Sequence, residues 1–543
     1  MQLGISKSVS KKQKESALIM RKQTKIAAVV SAAALLALGA SMTSFAASKG
    51  TWMMVDGEWY CYDKNGDAYE NVFCSSNGKE YYVGGDGQLV RSSWVEYDGS
   101  YYFVNSSGAK ITNDWRLTTP YEDEGADEEW YYFKSNGKRA EGEKITYKGK
   151  TYYFDSDGQM LTGWVTYDNN ANVDEANTFE SSKTFYCDET GARVEKDWVY
   201  SVEPGVEDDD ADADEYWYYF KSSGKAQTGK GTNIKGQTYL FDDNGRMLTG
   251  WVAGTKVSTA SNAKMAYKEI GDENSTEVLS TYKSGDVYFC GDEDDGHAKK
   301  NKWFQTWRPS EYDEADEDND QYWYYIDKNG KVYIPSISAS DSNAIKGDKY
   351  KLTDAALEHK DTLGSITKKK VNSKDYFFNE NGEMLCQFIN VTNGDADLPA
   401  GMYYFGGAND GSMKTGAQTV KDDNGDTYKF YFGTKNSGAE KKGVGITGNK
   451  SNKLYYKGLL LTADDYKYQI ATVDGYKFIV NKNGSIQHSV VEYKEDSDVL
   501  INAKSAKFNT NGVADEYKYS IDETTTYTNL VDEINIHEVM TLN

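Results

Sequence analysis

Short runs of aromatic residues recur along this chain, and each is followed by a polar turn that ends in glycine. Two copies are nearly identical, Thr151 to Trp164 and Thr238 to Trp251. Alternate residues of a strand point to opposite faces, so a run such as Thr-Tyr-Tyr-Phe predicts a strand with buried rings. The Asp-Ser-Asp-Gly and Asp-Asp-Asn-Gly segments that follow predict tight turns. Each unit is therefore predicted to be a β-hairpin whose second, short strand ends at tryptophan.

Related units continue to residue 388, at 59–73, 81–94, 101–115, 130–142, 185–198, 217–229, 287–303, 323–333 and 376–388. A left-handed backbone is expected at the turn glycines, namely Gly137, Gly158, Gly224, Gly245 and Gly330. A lone hairpin is marginally stable in water, so such an array must be stabilised by stacking. The sequence thus predicts an all-β solenoid of stacked hairpins with a less regular, β-rich C-terminal part.

Acidic inserts interrupt the repeats at 122–129, 207–215 and 313–320. They lack the glycine and the terminal glutamate that a calcium-binding EF-hand loop needs at fixed positions. We therefore interpret them as solvated charged loops, and a looser calcium site stays an alternative. Beyond about residue 340 the repeats become irregular, and Ala355 to Leu363 is expected to be a short helix or a loop.

The chain begins with a segment typical of an exported protein. Basic residues around Arg21 precede an apolar run, Ile26 to Ala40, and Ser44-Phe45-Ala46 has the pattern of a signal-peptidase site. The run is too short to span a membrane comfortably. We expect residues 1–46 to be a signal peptide and no membrane insertion after its cleavage. Residues 47–388 are predicted to form the repeats, and 389–543 degenerate repeats or an uncharacterised β-rich region.

Composition and charge limit the class of partner. The chain has 44 Tyr, 19 Phe, 12 Trp and 50 Gly but only 5 Pro, which favours many short strands joined by tight turns. Its net charge of −24 argues against nucleic acid and anionic membranes as partners. Metal-ligand, metalloprotease and serine-hydrolase motifs are absent from the sequence, so we expect no metal, no cofactor and no catalysis.

Five cysteines occur, an odd number that cannot all pair within one chain. Cys61, Cys187 and Cys290 stand where sister units carry an aromatic residue. We therefore interpret these three as small apolar core residues in preference to disulfide partners.

The segment from Trp52 to Gly66 reads Trp-x-x-x-x-Gly-x-Trp-Tyr-x-Tyr-Asp-x-x-Gly and resembles the choline-binding or cell-wall-binding repeat family. Glucan-binding and clostridial-toxin repeats share this signature. The resemblance implies a left-handed β-solenoid with ligand bound between adjacent hairpins. The cage would consist of a Gly-Trp tryptophan, the Trp-Tyr aromatics of the next hairpin and often a methionine.

Carried onto this sequence, the resemblance implies twelve ligand-binding residues: Trp52, Trp59, Trp115, Trp130, Trp164, Trp198, Trp217, Trp251, Trp303, Trp323, Met160 and Met247. Long inserts follow Trp164 and Trp251, and the acidic inserts separate the members of the pairs at 115/130, 198/217 and 303/323. Aromatic rings attract a quaternary ammonium, and they also stack on flat sugar faces, so choline and glycan both fit. The same tryptophans also suit a core role.

We therefore expect a non-catalytic secreted surface protein, non-covalently attached to the cell wall, that binds a wall polymer through repeated aromatic sites. The polymer would be a choline-substituted teichoic acid or a glycan, and a host surface glycan is a further candidate partner. Two alternatives stay open. One is a structural surface protein or adhesin whose repeats are purely architectural, and the other is an enzyme with a catalytic region within 389–543.

Overall fold

The computed structural model describes residues 50–123, 125–168, 172–206, 212–260, 263–271, 278–282, 285–311, 320–337, 344–353 and 356–536. The predicted signal peptide lies outside this part of the chain. The described residues form 38 strands and three short 3-10 helices, which confirms the predicted all-β class. They fall into two compact units, one that ends at Ala140 and one that begins at Glu141.

The first unit contains four antiparallel hairpins, each made by two consecutive strands. Its strands are β1 (Thr51–Val55), β2 (Glu58–Tyr62), β3 (Val72–Ser76), β4 (Lys79–Val83), β5 (Ser93–Tyr97), β6 (Ser100–Val104), β7 (Asp114–Thr118) and β8 (Glu129–Phe133).

The second unit continues the hairpins and then changes to larger sheets. Its hairpin strands are β9 (Glu143–Tyr147), β10 (Lys150–Phe154), β11 (Gly163–Asp168), β12 (Asn172–Glu175), β13 (Thr184–Cys187), β14 (Asp197–Ser201), β15 (Tyr216–Phe220), β16 (Gly229–Ile234), β17 (Gln237–Phe241), β18 (Trp251–Lys256), β19 (Met265–Glu269), β20 (Asp286–Phe289), β21 (Lys302–Thr306) and β22 (Tyr322–Ile326). Two of these hairpins gain a third strand from an insert, in the orders β12-β11-β13 and β19-β18-β20.

The remaining strands are β23 (Lys346–Thr353), β24 (Ala356–Val371), β25 (Lys374–Asn379), β26 (Phe388–Val391), β27 (Gly401–Tyr404), β28 (Gly416–Lys421), β29 (Thr427–Phe432), β30 (Gly448–Lys450), β31 (Lys453–Tyr456), β32 (Leu459–Leu460), β33 (Tyr468–Val473), β34 (Tyr476–Asn481), β35 (Ile486–Gln487), β36 (Glu492–Glu495), β37 (Asp498–Asn502) and β38 (Thr528–Asn529). The 3-10 helices are Leu279–Tyr282, Pro309–Glu311 and Asp515–Tyr517.

The order of the two strands within a hairpin differs from the prediction. The tryptophan strand comes first and pairs with the aromatic strand after it, as Trp115 of β7 does with Tyr132 of β8. The glycine turn after the aromatic strand leads only into a short arm, which contacts β10, for example, through the single bridge between Phe154 and Met160. The prediction that the glycine turn closes each hairpin was wrong. Turn residues occur both before and after the aromatic strand, and pairing with the tryptophan strand decides which connection closes the hairpin. The predicted positive φ is confirmed at Gly137, Gly158, Gly224, Gly245 and Gly330.

The arms join successive hairpins within a unit. Met247 forms a bridge with Phe241 of its own hairpin and donates its N–H to the carbonyl of Trp217 in the preceding one, at 2.8 Å. Met384 makes the same bond to Trp323, also at 2.8 Å. Because each arm is bonded to two hairpins, the hairpins stack as predicted. The left-handed sense of the stack stays a prediction.

The C-terminal half contains two five-stranded sheets, in the orders β25-β24-β23-β26-β27 and β28-β29-β32-β31-β30. The expectation of a helix or loop at 355–363 was wrong, because Ala356 to Ser365 pairs along β23 as part of the long strand β24. Tertiary pairing here overrides weak local preferences. The predicted boundary at residue 388 falls at the first residue of β26, inside the first of these sheets.

Aromatic side chains supply most of the core of each hairpin. Tyr131, Tyr218 and Tyr324 occupy equivalent strand positions and are fully buried. Cys187 and Cys290 are buried, free thiols that pack within apolar clusters, and Cys61 is buried in another. The interpretation of Cys187 and Cys290 as core residues in preference to disulfide partners is therefore confirmed, and Cys61 is buried as expected of a core residue.

Candidate functional site

Two tryptophans share one face of the hairpin formed by β14 and β15. Trp198 lies opposite Tyr219, and Trp217 lies opposite Tyr200. The rings of Trp198 and Trp217 meet edge to face, with centroids 6.3 Å apart. The same register occurs in β7–β8 with Trp115 and Trp130, and in β21–β22 with Trp303 and Trp323. The structure therefore brings the members of each predicted tryptophan pair onto one face.

The next hairpin completes a half-buried aromatic group around Trp198 and Trp217. The ring of Tyr239 in β17 lies 4.8 Å from the ring of Trp198. The arm residue Met247 is bonded through its N–H to the carbonyl of Trp217. All four side chains are partly exposed to solvent. We call this group the Met247 seam: Trp198, Trp217, Tyr239 and Met247.

An equivalent group lies farther along the chain and is called the Met384 seam: Trp303, Trp323, Tyr376 and Met384. The rings of Trp303 and Tyr376 are 4.7 Å apart, and the N–H of Met384 is bonded to the carbonyl of Trp323. The indole N–H of Trp323 donates to Asn409 Oδ1 at 3.1 Å. Both tryptophans are partly exposed, whereas Tyr376 and Met384 are buried. The two seams therefore have the same four residue types in the same order.

The first unit contains an equivalent arrangement, with a cation in place of the methionine and Tyr101 in place of the second tryptophan. We call it the Arg139 seam: Trp94, Tyr101, Tyr131 and Arg139. The N–H of Arg139 is bonded to the carbonyl of Tyr101 at 2.9 Å, as Met247 is bonded to Trp217. Its guanidinium lies 4.3 Å from the ring of Tyr101, 5.4 Å from that of Trp94 and 5.8 Å from that of Tyr131. In this seam the chain's own cation is bound by three rings.

Lys110 occupies the corresponding arm position one hairpin earlier. Its ammonium lies 4.9 Å from the ring of Phe73 and 5.3 Å from that of Tyr102, and it forms an ion pair with Glu80. In the second unit, Lys230 lies 4.6 Å from the ring of Tyr288. Cations therefore recur on the rings between hairpins.

Inserted segments bury two of the predicted ligand-binding tryptophans. Trp251 is only 1% exposed and packs with Ile270 and Leu279 of the insert that contains β19. Trp164 is 8% exposed and packs with Ala176, which follows β12. Each indole N–H donates to a backbone carbonyl of the next hairpin, at 3.0 Å for Trp251 and 2.8 Å for Trp164. Rings held in this way present no face to a ligand, so we leave both out of the candidate site.

The remaining predicted residues also differ in exposure. Trp52 is 5% exposed and packs in one cluster with Trp59, which is partly exposed. Trp115 is partly exposed, and Trp130 is 38% exposed. Met160 is partly exposed, next to the turn at Gly191.

A turn glycine makes room for the methionine of each seam. Gly296 has a φ of 53°, and a Cβ at this position would overlap the Sδ of Met247. Gly411 stands in the same relation to Met384. The turn of the following hairpin therefore fixes where the thioether lies.

One aspartate lies near the tyrosine of the Met247 seam and one near that of the Met384 seam. In sequence, each acidic insert stands between the two strands of a hairpin that carries a tryptophan pair, for example between β14 and β15. Burial raises the pKa of Tyr239, and the carboxylate of Asp295 raises it further. Burial and the carboxylate of Asp410 act on the pKa of Tyr376 in the same direction. Asp295 forms an ion pair with Lys299, and Asp410 forms one with Lys414, so each carboxylate has a cation beside it.

Within the residues that the structure describes, no cluster of three or more His, Cys, Asp or Glu side chains could hold a metal ion. Large parts of the acidic inserts at 207–215 and 313–320 lie outside the described residues, so the calcium alternative stays open there. None of the described helices has the length and apolar character needed to cross a membrane.

Sequence reasoning missed seven residues of these seams: Trp94, Tyr101, Tyr131, Arg139, Tyr239, Tyr376 and Met384. Met384 stands in Glu-Met-Leu, similar to Arg-Met-Leu at Met247, and this likeness was an available signal. No such signal marks Arg139. The three rings around its guanidinium come from three different strands, and they meet it only because the hairpins stack in a particular register.

Comparisons with known proteins agree with the repeat pattern. The family described as "Choline-binding repeat" matches residues 126–163, and that described as "Putative cell wall binding repeat" matches residues 92–110, 212–226, 233–247 and 369–384. Over 36% of its own length, the chain is 28% identical to Glucosyltransferase-S of Streptococcus mutans. Over 82% of its own length, it is 24% identical to Glucosyltransferase-I of Streptococcus downei. The matches span only 11% and 26% of those two relatives.

Among solved structures, the choline-binding domain of CbpL from Streptococcus pneumoniae is 25% identical, with a TM-score of 0.26, over 37% of this chain and 88% of that one. Choline binding protein F from the same organism is 18% identical, with a TM-score of 0.30, over 69% of this chain and 100% of that one. The family matches fall on the aromatic hairpins and their glycine turns. The chain therefore contains hairpins that match choline-binding and cell-wall-binding repeats.

Proposed function

We propose that this chain is a non-catalytic, secreted surface protein that binds quaternary ammonium groups of a cell-wall polymer at the Met247 and Met384 seams. The observation that carries the proposal is the position of Arg139, whose guanidinium lies on three rings that are equivalent to those of the Met247 seam. Where the arm residue is methionine, the chain places a neutral thioether there, and an external cation can bind the rings.

Chemistry favours a cation over a neutral sugar at these seams. Ring faces carry negative charge, and a weakly hydrated quaternary ammonium loses little solvation on binding to them. A choline-substituted wall polymer such as a teichoic acid supplies this group repeatedly.

Each seam alone should bind weakly. A cation–π contact contributes roughly 0.5–2 kcal/mol, so three rings correspond to a Kd on the order of 1 mM. Two or more seams that engage one polymer gain through effective concentration, by roughly 10²–10⁴-fold. Firm but reversible attachment to the wall follows from this arithmetic, without a covalent link.

Glycan binding is the second candidate, because the chain resembles two proteins named glucosyltransferases. Partly exposed indole faces such as that of Trp130 also suit stacking on a sugar ring. The lack of a recognisable catalytic constellation in the sequence supports a binding role over an enzymatic one.

The proposal is tested by following tryptophan emission while the protein is titrated with choline and, separately, with dextran. Met247→Arg and Met384→Arg place a guanidinium in each seam, as Arg139 does in its own. Met53→Arg is the matched control, because Met53 is 46% exposed on β1 and outside both seams.

We expect choline to change the emission, the double variant to lose most of that change and the control to keep it. An unchanged response in the double variant would place choline elsewhere. A response to dextran that exceeds the response to choline would favour the glycan candidate. Tryptophan emission that changes with neither ligand would favour a purely structural protein.

A further inference from the structure

Three consecutive lysines of β24 are divided between the two faces of the sheet. In the register with β25, Lys368 pairs with Phe377, Lys369 with Tyr376 and Lys370 with Asp375. Strand alternation puts Lys369 on the face of the Met384 seam, where its ammonium lies 3.9 Å from the ring of Tyr333. Lys368 and Lys370 therefore lie on the opposite face.

On that opposite face the two lysines line a cavity of about 310 Å³. Its floor includes Leu398 and Tyr403, which are 2% and 1% exposed and belong to the same core cluster as Phe377. Met413 adds a partly buried thioether. A cavity of this volume accommodates a single sugar ring.

The walls of the cavity are held in place by local hydrogen bonds. Tyr403 donates its hydroxyl to the carbonyl of Pro399 at 2.7 Å. Asp395 Oδ1 accepts the N–H groups of Asp397 at 2.8 Å and Leu398 at 2.7 Å, which fixes the loop between β26 and β27. The binding geometry is therefore largely formed before any ligand arrives.

The third wall carries another lysine. Asn436 Oδ1 accepts the N–H of Lys442 at 2.8 Å, and the ammonium of Lys442 lies 3.4 Å from Asp375 Oδ2. Lys368 donates to the backbone carbonyl of Asp397, which is a neutral group. The backbone of Lys370 pairs with Asp375 in the β24–β25 ladder, but its ammonium makes no hydrogen bond or ion pair with the residues that the structure describes.

The lining thus contains three ammonium groups against two carboxylates, those of Asp375 and Asp397. Among the described residues of the lining, Lys442 is the lysine that forms an ion pair with one of these carboxylates. The chain as a whole is strongly acidic, but a Debye length of about 8 Å at physiological salt screens most of that distant charge. The local excess of cations therefore decides what the cavity attracts.

We infer that this cavity is a binding site for an anionic sugar residue, with the phosphate or carboxylate at Lys368 and Lys370 and the ring on the floor formed by Leu398 and Met413. Ammonium groups bind phosphate and carboxylate as point charges. The inference does not rest on the proposed function, because the cavity and the Met384 seam lie on opposite faces of the β24–β25 ladder.

The test is a calorimetric titration of the full-length protein with glucose 6-phosphate, glucuronate, glucose and inorganic phosphate. Lys370→Met removes the unpaired ammonium, and Asp375→Asn removes a repelling carboxylate from the same lining. Lys360→Met is the control, since Lys360 lies on β24 outside the cavity and pairs with Glu358. Thermal unfolding checks that each variant folds.

We expect one or both charged sugars to bind more tightly than glucose and inorganic phosphate, and the tighter of the two identifies the anion. Lys370→Met should weaken that binding by about 10- to 100-fold, as expected for loss of a charged hydrogen bond. Asp375→Asn should strengthen it, and Lys360→Met should leave it unchanged. Equal binding of glucose and the charged sugars, or equal losses in Lys370→Met and Lys360→Met, would overturn the inference.

Discussion

Replacing Arg139 by methionine should convert the Arg139 seam into a choline site. The side chain is 8% exposed, and its guanidinium lies within 6 Å of three aromatic rings. Arg139→Met leaves the rings of Trp94, Tyr101 and Tyr131 in place and gives this seam the arm residue found at Met247 and Met384. The variant should therefore lose stability and gain a ligand.

The size of both effects follows from the contacts. Three cation–π contacts at roughly 0.5–1 kcal/mol each amount to about 2 kcal/mol in the free energy of unfolding, once the packing of the methionine is allowed for. If choline binds the emptied seam with a Kd of about 1 mM, then 0.1 M choline restores about 2.7 kcal/mol. Added choline should thus offset the whole loss.

Hydrogen exchange measured by mass spectrometry localises the effect to this seam. Peptides that cover β6 and β8 should exchange about 30-fold faster in Arg139→Met than in the wild type if opening is local. Choline chloride should restore protection, whereas sodium chloride at equal ionic strength and 3,3-dimethylbutan-1-ol, the neutral analogue of choline, should not.

Arg91→Met is the matched control, because Arg91 forms an exposed ion pair with Glu58 in the same unit. Such pairs contribute roughly 0–1 kcal/mol, and choline should not protect this variant. Protection of Arg139→Met by choline that is no greater than protection of the wild type, or equal protection by the neutral alcohol, would contradict a cation site in this seam.

Three further predictions concern stability. Burial raises the pKa of Glu440, but the Lys450 ammonium and hydrogen bonds from a threonine outweigh it and lower the pKa from 4.5 to about 2. This depressed pKa corresponds to about 3 kcal/mol of stability that is fully present above pH 4.5 and lost as the pH falls through about 2. In urea unfolding, the free energy of unfolding of Glu440→Gln should therefore fall less steeply with decreasing pH than that of the wild type. Arg308→Met should lower the free energy of unfolding by about 3–5 kcal/mol, because it leaves the buried carboxylate of Glu383, which is 3% exposed, without its bidentate partner. A loss below about 1 kcal/mol in chemical unfolding would contradict a tight pair. Trp251→Ala should cost about 3–5 kcal/mol by opening a core cavity, and retained choline binding at the Met247 seam would confirm that its role is structural.

The fold class could be predicted from the sequence because local patterns determine it. Aromatic alternation specifies strands, and glycines such as Gly158 and Gly245 specify the left-handed turn positions. The connection that closes each hairpin could not be predicted, because turn-like segments stand both before and after the aromatic strand. Only the pairing of Trp115 with Tyr132 across the acidic insert shows which connection closes the hairpin.

The candidate site was partly predictable for the same reason. Trp198 and Trp217 lie in one hairpin, and the repeat signature marks both. The burial of Trp251 depends on insert residues such as Leu279, which come from a segment outside the repeat pattern. Arg139 meets the ring of Trp94 through the stacking of separate hairpins, and such contacts are set by tertiary register and not by local sequence.

A crystal structure of the protein in saturating choline tests the central claim most directly. We expect a quaternary ammonium within about 6 Å of the ring centroids in the Met247 and Met384 seams, with the guanidinium of Arg139 still in its own seam. Unoccupied Met247 and Met384 seams at saturating choline, or choline that displaces Arg139 while those seams stay empty, would contradict the account.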